Sequence, residues 1–133
     1  MNTALSTVQA VYAAFGAGDL PALLSHLQPD VQWQFVGDHG APYTGRVQGH
    51  EAVAHWFGDV ARTDAIQAFE PREFLAGADH VTVLGWERTA DTRSGRLFET
   101  EWVHVWTLRD GQVARFFGIF DSQAAAAARS AAP

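Results

Sequence analysis

Hydrophobic residues near the start of the chain recur at intervals of three and four. Because such positions share one side of an α-helix, the spacing predicts a helix with Thr3 as its N-cap and Gly16 at its end. Asp19 is the expected N-cap of a second, short helix that carries Pro21 in its first turn. The apolar face of the first helix consists of Leu5, Val8, Val11, Tyr12 and Phe15.

The pattern then changes to alternation, which is typical of a half-buried strand. Residues 31–36 read VQWQFV and predict a first strand, and the glycine-rich residues 37–49 predict a loop. Helical spacing returns over residues 50–62, which predict a third helix. The first half of the chain is therefore mainly helical.

Four further strands are predicted in the second half. They cover residues 66–75, 81–89, 97–108 and 113–120, and Pro71 marks a break or bulge in the first of them. Short turn sequences separate these strands, so they form an antiparallel meander. Helices followed by an antiparallel sheet place the chain in the α+β class.

Both faces of the last hairpin are apolar. Trp102, His104 and Trp106 share one face of their strand, and Val103 and Val105 share the other. Three short helices are enough to cover one face of the sheet. A large uncovered apolar face is typical of a protein–protein interface, so we predict a homodimer packed sheet against sheet.

Length and composition narrow the class of protein. The 133 residues suit a single domain, for which we expect bounds of 1–122, followed by an Ala-rich tail at 123–133 to which we assign no function. The formal net charge of −6 argues against a binder of nucleic acid or of an anionic membrane. The absence of cysteine excludes thiol chemistry and Cys-based metal sites. With no signal peptide in the opening sequence, we expect a cytoplasmic location.

Three stretches, read in order, resemble a known family. They are VYAAFGAGDLPALLSHLQPDVQW, GRVQGHEAVAHWF and WVHVWTLRDGQVARFFGIFD, which together span about residues 5–122. The chain resembles the SnoaL-like (polyketide cyclase) branch of the superfamily that also contains nuclear transport factor two and ketosteroid isomerase. The resemblance implies a cone-shaped, curved antiparallel sheet with three helices over its concave face and a pocket between them.

Such a pocket suits a small apolar molecule. The superfamily includes isomerases, cyclases, hydrolases and domains without catalysis, so the resemblance leaves three functions open. The first is an enzyme that uses His104 as acid or base on an apolar carbonyl compound. The second is a non-catalytic domain that binds a hydrophobic ligand, and the third is a protein–protein interaction module. We expect no cofactor and no metal, since the six histidines show no ligand spacing.

His104 is the first candidate catalytic residue. It occupies a position that resembles that of a catalytic histidine in the polyketide cyclases, and its ordinary pKa suits acid–base work. The alternative is a neutral core histidine that is hydrogen-bonded to a neighbour. The related cyclases pair this histidine with an aspartate on the last strand, and Gly118 stands at that position here.

The isomerase branch offers a second comparison. It uses a tyrosine on the first helix, an acidic base on the loop after the first strand and a protonated aspartate on the later sheet. Tyr12 and Asp38 stand near the first two positions, and His104 or Val103 stands at the third.

Arg88 is the remaining catalytic candidate. If Trp86 lies opposite Trp102, Arg88 faces the pocket and would attract an oxyanion. The alternative is a surface arginine paired with Glu99 or Glu101. A shift of one residue in register would replace Arg88 by Glu87 in the pocket.

Aromatic residues dominate the predicted lining. The loop that carries Asp38, His39 and Tyr43 is expected at the mouth of the pocket. The candidate ligand-binding residues are Trp33, Phe35, Trp56, Trp86, Trp102, Trp106 and Gly118.

Overall fold

The computed structural model of the chain describes residues 2–37 and 40–133. Its helices and strands follow in the order α1 (Thr3–Gly16), α2 (Leu20–Ser25), β1 (Leu27–Val36), β2 (Gly45–Gln48), α3 (His50–Thr63), β3 (Asp64–Ala76), β4 (His80–Asp91), β5 (Leu97–Arg109), β6 (Gln112–Phe120) and α4 (Ser122–Ser130). None of the helices in these two ranges is long and apolar enough to cross a membrane.

The strands form one curved, unclosed sheet in the order β2-β1-β6-β5-β4-β3. Neighbouring strands run antiparallel, except that β1 lies parallel to β6. The predicted α+β class with a cone-shaped sheet is confirmed. Helices α1, α2 and α3 contact the sheet and one another, while α4 packs against β4 and β5.

Residues near the ends of helices and strands explain where most of these elements begin or end. Asp19 caps α2 as predicted, because its carboxylate accepts a hydrogen bond from the Ala22 amide at 3.1 Å. The β5–β6 hairpin turns through Asp110 and Gly111, which both have positive φ, as a two-residue hairpin requires. The N-cap of α1 is Asn2, and Thr3 is the first helical residue, so that detail of the prediction is wrong.

Two segments carry more structure than the pattern indicated. Part of the predicted loop forms β2, which pairs with β1 and has only four residues, too few to show an alternation. The Ala-rich tail forms α4, in which Ala125 and Ala128 are buried. Alanine has the highest helix propensity, and its small side chain allows close packing on the sheet.

The register between β4 and β5 differs from the expected one by a single residue. Gly85, and not Trp86, lies opposite Trp102. A Cβ atom at residue 85 would stand 2.1 Å from the Trp102 ring, so the ring occupies the space above a glycine. Trp86 and Arg88 therefore lie on the outer face of the sheet, and Glu87 lies on the inner face.

Candidate functional site

The concave side of the sheet and helices α1 to α3 enclose a cavity of about 70 Å³, counted as the space open to the centre of a water molecule. One water needs roughly 10–15 Å³ by this measure, so the cavity has room for a small organic molecule. Its walls are mainly aromatic. The aromatic lining residues are Tyr12, Phe15, Trp33, Phe35, Tyr43, Trp56, Phe57, Phe69, Trp102, His104, Trp106 and Phe116.

A hydrogen-bonded chain of three side chains forms one polar end of the cavity. The Trp106 indole donates from Nε1 to Tyr12 Oη at 3.0 Å, and Tyr12 Oη lies 2.7 Å from His104 Nδ1. Because the indole can only donate, the hydroxyl hydrogen of Tyr12 is directed to His104 Nδ1. This network assigns the histidine proton to Nε2.

Burial keeps both central groups neutral. Desolvation lowers the pKa of His104 from 6.5 to about 3 and raises the pKa of Tyr12 above its ordinary value. At neutral pH, His104 is therefore an uncharged imidazole whose Nε2–H is available as a donor. It is poorly suited to act as a base that becomes imidazolium.

Stacked rings form a flat surface beside His104. The Trp102 ring stacks on the imidazole with centroids 4.0 Å apart, and Phe69 stacks on Trp102 at 4.8 Å. Flat rings held face to face fix each other's orientation.

Gly118 lies directly opposite His104 in the β5–β6 pairing. A Cβ atom there would stand 2.7 Å from the Phe116 ring and 3.0 Å from the Phe35 ring. These rings occupy the space that a side chain at residue 118 would need. The histidine thus has no carboxylate partner from that position.

A second polar cluster forms another part of the cavity wall. Tyr43 Oη donates to Asp64 Oδ2 at 2.5 Å and accepts from Arg129 Nη2 at 2.9 Å. Arg129 Nη1 lies 2.9 Å from Asp64 Oδ1 and 3.3 Å from Asp91 Oδ1. The two aspartates face each other at the ends of β3 and β4, and α4 supplies the arginine between them.

Glu87 joins this cluster on the cavity wall. It is only 8% exposed and accepts a hydrogen bond from Thr89 Oγ1 at 2.8 Å. Burial is the main cause that raises the pKa of Glu87 from 4.5 to about 7, and the negative charge of Asp64 adds to it. Burial also raises the pKa of Asp64.

The predicted site residues divide into two groups. Tyr12, His104 and the candidate rings Trp33, Phe35, Trp56, Trp102 and Trp106 all line the cavity. Arg88 and Trp86 do not, because the register turns them outward.

The predicted inward position of Arg88 is therefore wrong. On the outer face, Arg88 donates from Nε and Nη2 to Glu99 Oε1 at 3.0 and 2.9 Å. This is the alternative arrangement, a surface arginine paired with Glu99. Trp86 lies on the same face, with the guanidinium groups of Arg72 and Arg88 at 5.0 and 5.7 Å from its ring. Asp38 and His39 lie outside the described residues.

Sequence reasoning missed Asp64 and Arg129 as parts of the wall. Asp64 resembles a simple helix end, and Arg129 is the one charged residue within the Ala-rich tail. The sequence signal for Arg129 was a single charge within an otherwise apolar segment. Within residues 2–37 and 40–133, no group of His, Asp or Glu side chains is arranged to hold a metal ion.

Several proteins of known structure are similar to this chain over nearly its whole length. An NTF2-like protein of Burkholderia xenovorans shares 30% identity over 95% of each chain, with a TM-score of 0.86. An NTF2-like protein of Burkholderia pseudomallei shares 31% identity over 98% of this chain and 100% of its own, with a TM-score of 0.86. TerC, co-crystallised with polyporic acid, shares 29% identity over 97% of this chain and 99% of its own, with a TM-score of 0.85.

No curated protein matches the chain. The family model of the SnoaL-like domain matches residues 8–116. This match covers most of the sheet, α2, α3 and the larger part of α1, and it confirms the resemblance seen in the sequence. The chain belongs to the SnoaL-like family.

Proposed function

We propose that the protein binds a small, flat and mainly apolar carbonyl compound in the cavity, and that His104 donates a hydrogen bond to the carbonyl oxygen. The observation that carries this proposal is the chain from Trp106 through Tyr12 to His104, which favours a neutral imidazole with its proton on Nε2 because His104 Nδ1 is then the acceptor for the Tyr12 hydroxyl. A neutral donor in an apolar cavity suits an uncharged carbonyl oxygen.

The surrounding rings supply the affinity. Trp102 and Phe69 stack on each other in the cavity lining, and burying an aromatic ligand among such rings is favourable. TerC, which is 29% identical, was co-crystallised with polyporic acid, and this supports a ligand pocket in the same fold.

His104 would also stabilise negative charge on the carbonyl oxygen if the ligand loses a proton next to the carbonyl group. An uncharged imidazole is able to act in this way, since the donor need only be aimed at the oxygen where charge develops. Tyr12 holds the ring in the required tautomer and acts as a positioning residue.

Binding without chemistry is a second candidate function. It is favoured by Gly118, where the related cyclases carry an aspartate and where the Phe116 and Phe35 rings fill the space. Turnover of a carbonyl ligand that stops in His104→Leu would support the enzyme. Binding without turnover would support the binding domain.

The binding step is tested with two ligands of the same shape, acetophenone and α-methylstyrene, in which a methylene group replaces the oxygen. NMR titration of the wild-type protein should show acetophenone binding more tightly by about tenfold, the value of one good hydrogen bond in a dry site. In His104→Leu, this preference should be lost or reversed, because the carbonyl oxygen is then buried without a donor.

His55→Leu is the control, because the His55 side chain is 77% exposed on α3. It should keep the preference for acetophenone. Equal binding of the two compounds to the wild-type protein would contradict the role of His104, and no binding of either would contradict the pocket.

A further inference from the structure

The cavity wall around Glu87 carries an excess of negative charge. The carboxylates of Asp64 and Glu87 line this part of the cavity, and the carboxylate of Asp91 lies next to Asp64, beside the guanidinium of Arg129. Arg129 forms ion pairs with both aspartates. No arginine or histidine of the described residues lies within 4.0 Å of the Glu87 carboxylate.

Glu87 and His104 stand at two separate places along the cavity. In the β4–β5 register, Glu87 lies opposite Thr100 and Val83 lies opposite His104. Val83 comes four residues before Glu87 on β4. At a rise of about 3.3 Å per residue, their backbone positions are about 13 Å apart along the strands. A ligand of one ring with a short side chain is able to lie between them.

Aromatic rings line the interval. Phe69 is paired with Glu87 across β3 and β4, and its ring stacks on Trp102, which in turn stacks on His104. A cation beside Glu87 would therefore have π faces next to it in addition to a carboxylate. Both features stabilise an ammonium group in a desolvated site.

We propose that Glu87 binds a protonated amine of the ligand, so that the cavity selects an aryl carbonyl compound with a short aminoalkyl chain, whose ring lies among the aromatic side chains between Glu87 and His104. This inference rests on the proposed function, since it needs a cavity that binds a small aromatic molecule. It adds a specificity-determining residue and a substrate class to that proposal.

The ionisation of Glu87 gives the proposal a pH dependence. Because burial raises the pKa of Glu87 to about 7, the carboxyl group is largely protonated below that pH and charged above it. The groups that face it are Thr89 on its own strand, Asp64 on β3, Arg129 on α4 and Tyr43 in the segment before β2. The bound ammonium group favours the charged carboxylate.

The test compares 2-phenylethylamine with 2-phenylethanol, which has nearly the same shape and no charge. NMR titration at about pH 8 should show the amine binding to the wild-type protein more tightly, by about tenfold. The Glu87→Gln variant should lose this preference and keep its affinity for the alcohol. Glu99→Gln should keep the preference, because Glu99 lies on the outer face of the sheet.

A second measurement does not depend on the fold of a variant. In the wild-type protein, the preference for the amine should shrink several-fold when the pH falls from about 8 to about 5.5, while the amine stays protonated. This result would support the proposal even if Glu87→Gln does not fold.

The outcomes separate the two proposals. Binding of the alcohol without any preference for the amine would overturn the amine site and leave the pocket standing; it would indicate that Glu87 is a protonated donor to a neutral ligand. A preference that survives in folded Glu87→Gln would also overturn it. Failure of both compounds to bind would overturn the pocket as well.

Discussion

His104 combines deep burial with a fixed hydrogen bond. The residue is 8% exposed, and Tyr12 holds its Nδ1 atom at 2.7 Å. Burial disfavours the imidazolium form, so the folded protein resists protonation at this residue while the unfolded chain does not. This difference links the residue to the acid stability of the fold.

We predict that His104 makes the protein less stable as the pH falls below 6.5. The unfolded chain takes up a proton near pH 6.5, whereas the folded protein takes it up only near pH 3. The loss between pH 7.5 and pH 5 should be about 2 kcal/mol for this residue alone. Urea unfolding should show that His104→Phe loses less stability over this interval than the wild-type protein, by that amount.

The control is the difference in unfolding free energy between His104→Phe and the wild-type protein above pH 7. Both states are neutral at this residue there, so the two proteins should keep a constant difference in unfolding free energy. An identical loss of stability in both proteins between pH 7.5 and pH 5 would contradict a buried neutral His104.

The sequence predicted the inward face of β5 but not that of β4. On β5, the alternation around His104 is unambiguous, since Trp102 and Trp106 flank it on the same face. On β4, Trp86 is the largest residue and was assigned to the cavity. The register instead depends on Gly85, over which the Trp102 ring packs, and a single-residue shift exchanges Arg88 for Glu87.

Helix α4 supports the cavity wall through one side chain, which contacts the lining residues Tyr43 and Asp64. Arg129 is 8% exposed and contacts Tyr43, Asp64 and Asp91. The helix is also fastened by Ser94, whose hydroxyl donates to the Ala128 carbonyl at 2.8 Å. The element therefore stabilises the acidic part of the cavity.

We predict that Arg129→Met destabilises the fold by about 3 kcal/mol, because it leaves the two aspartates buried without a cation. Arg88→Met is the matched control. It breaks an ion pair between half-exposed groups and should cost less than about 1 kcal/mol. Urea unfolding at neutral pH measures both, and equal losses in the two variants would show that the Arg129 network adds nothing.

Helix propensity explains why the tail is helical, but not why it is buried. A run of alanines favours a helix in any context. The burial of Arg129 depends on the pairing of Asp64 with Asp91, which brings together residues 27 positions apart in the sequence. Local pattern carries no information about that pairing.

At the scale of the whole molecule, the outer face of the sheet keeps an apolar surface. Val103, Val105 and Phe117 are only half-buried there, and Ile119 is 39% exposed. The helices that enclose the cavity lie on the opposite side. The expectation of a homodimer through this face therefore remains a prediction.

Light scattering after size-exclusion chromatography should give the mass of a dimer at micromolar concentration. Val105→Glu should shift the protein to the monomer, because it places a charge in the middle of the apolar face. Gln9→Glu, on the exposed side of α1, should leave the mass unchanged. A wild-type monomer would contradict the dimer.

The order of the helices and strands other than β2 and α4 was predictable because these elements carry their own periodicity. The cavity was predictable only as a region, since its shape depends on how the rings stack. The acidic part of the wall was not predictable, because it depends on register and on the return of α4 to the sheet.

A crystal structure of the protein with acetophenone tests the central claim most directly. We predict that the ring lies among the aromatic side chains of the cavity and that the carbonyl oxygen lies within hydrogen-bonding distance of His104 Nε2, about 2.9 Å. A ligand bound outside the cavity, or bound with its oxygen turned away from His104, would contradict the account.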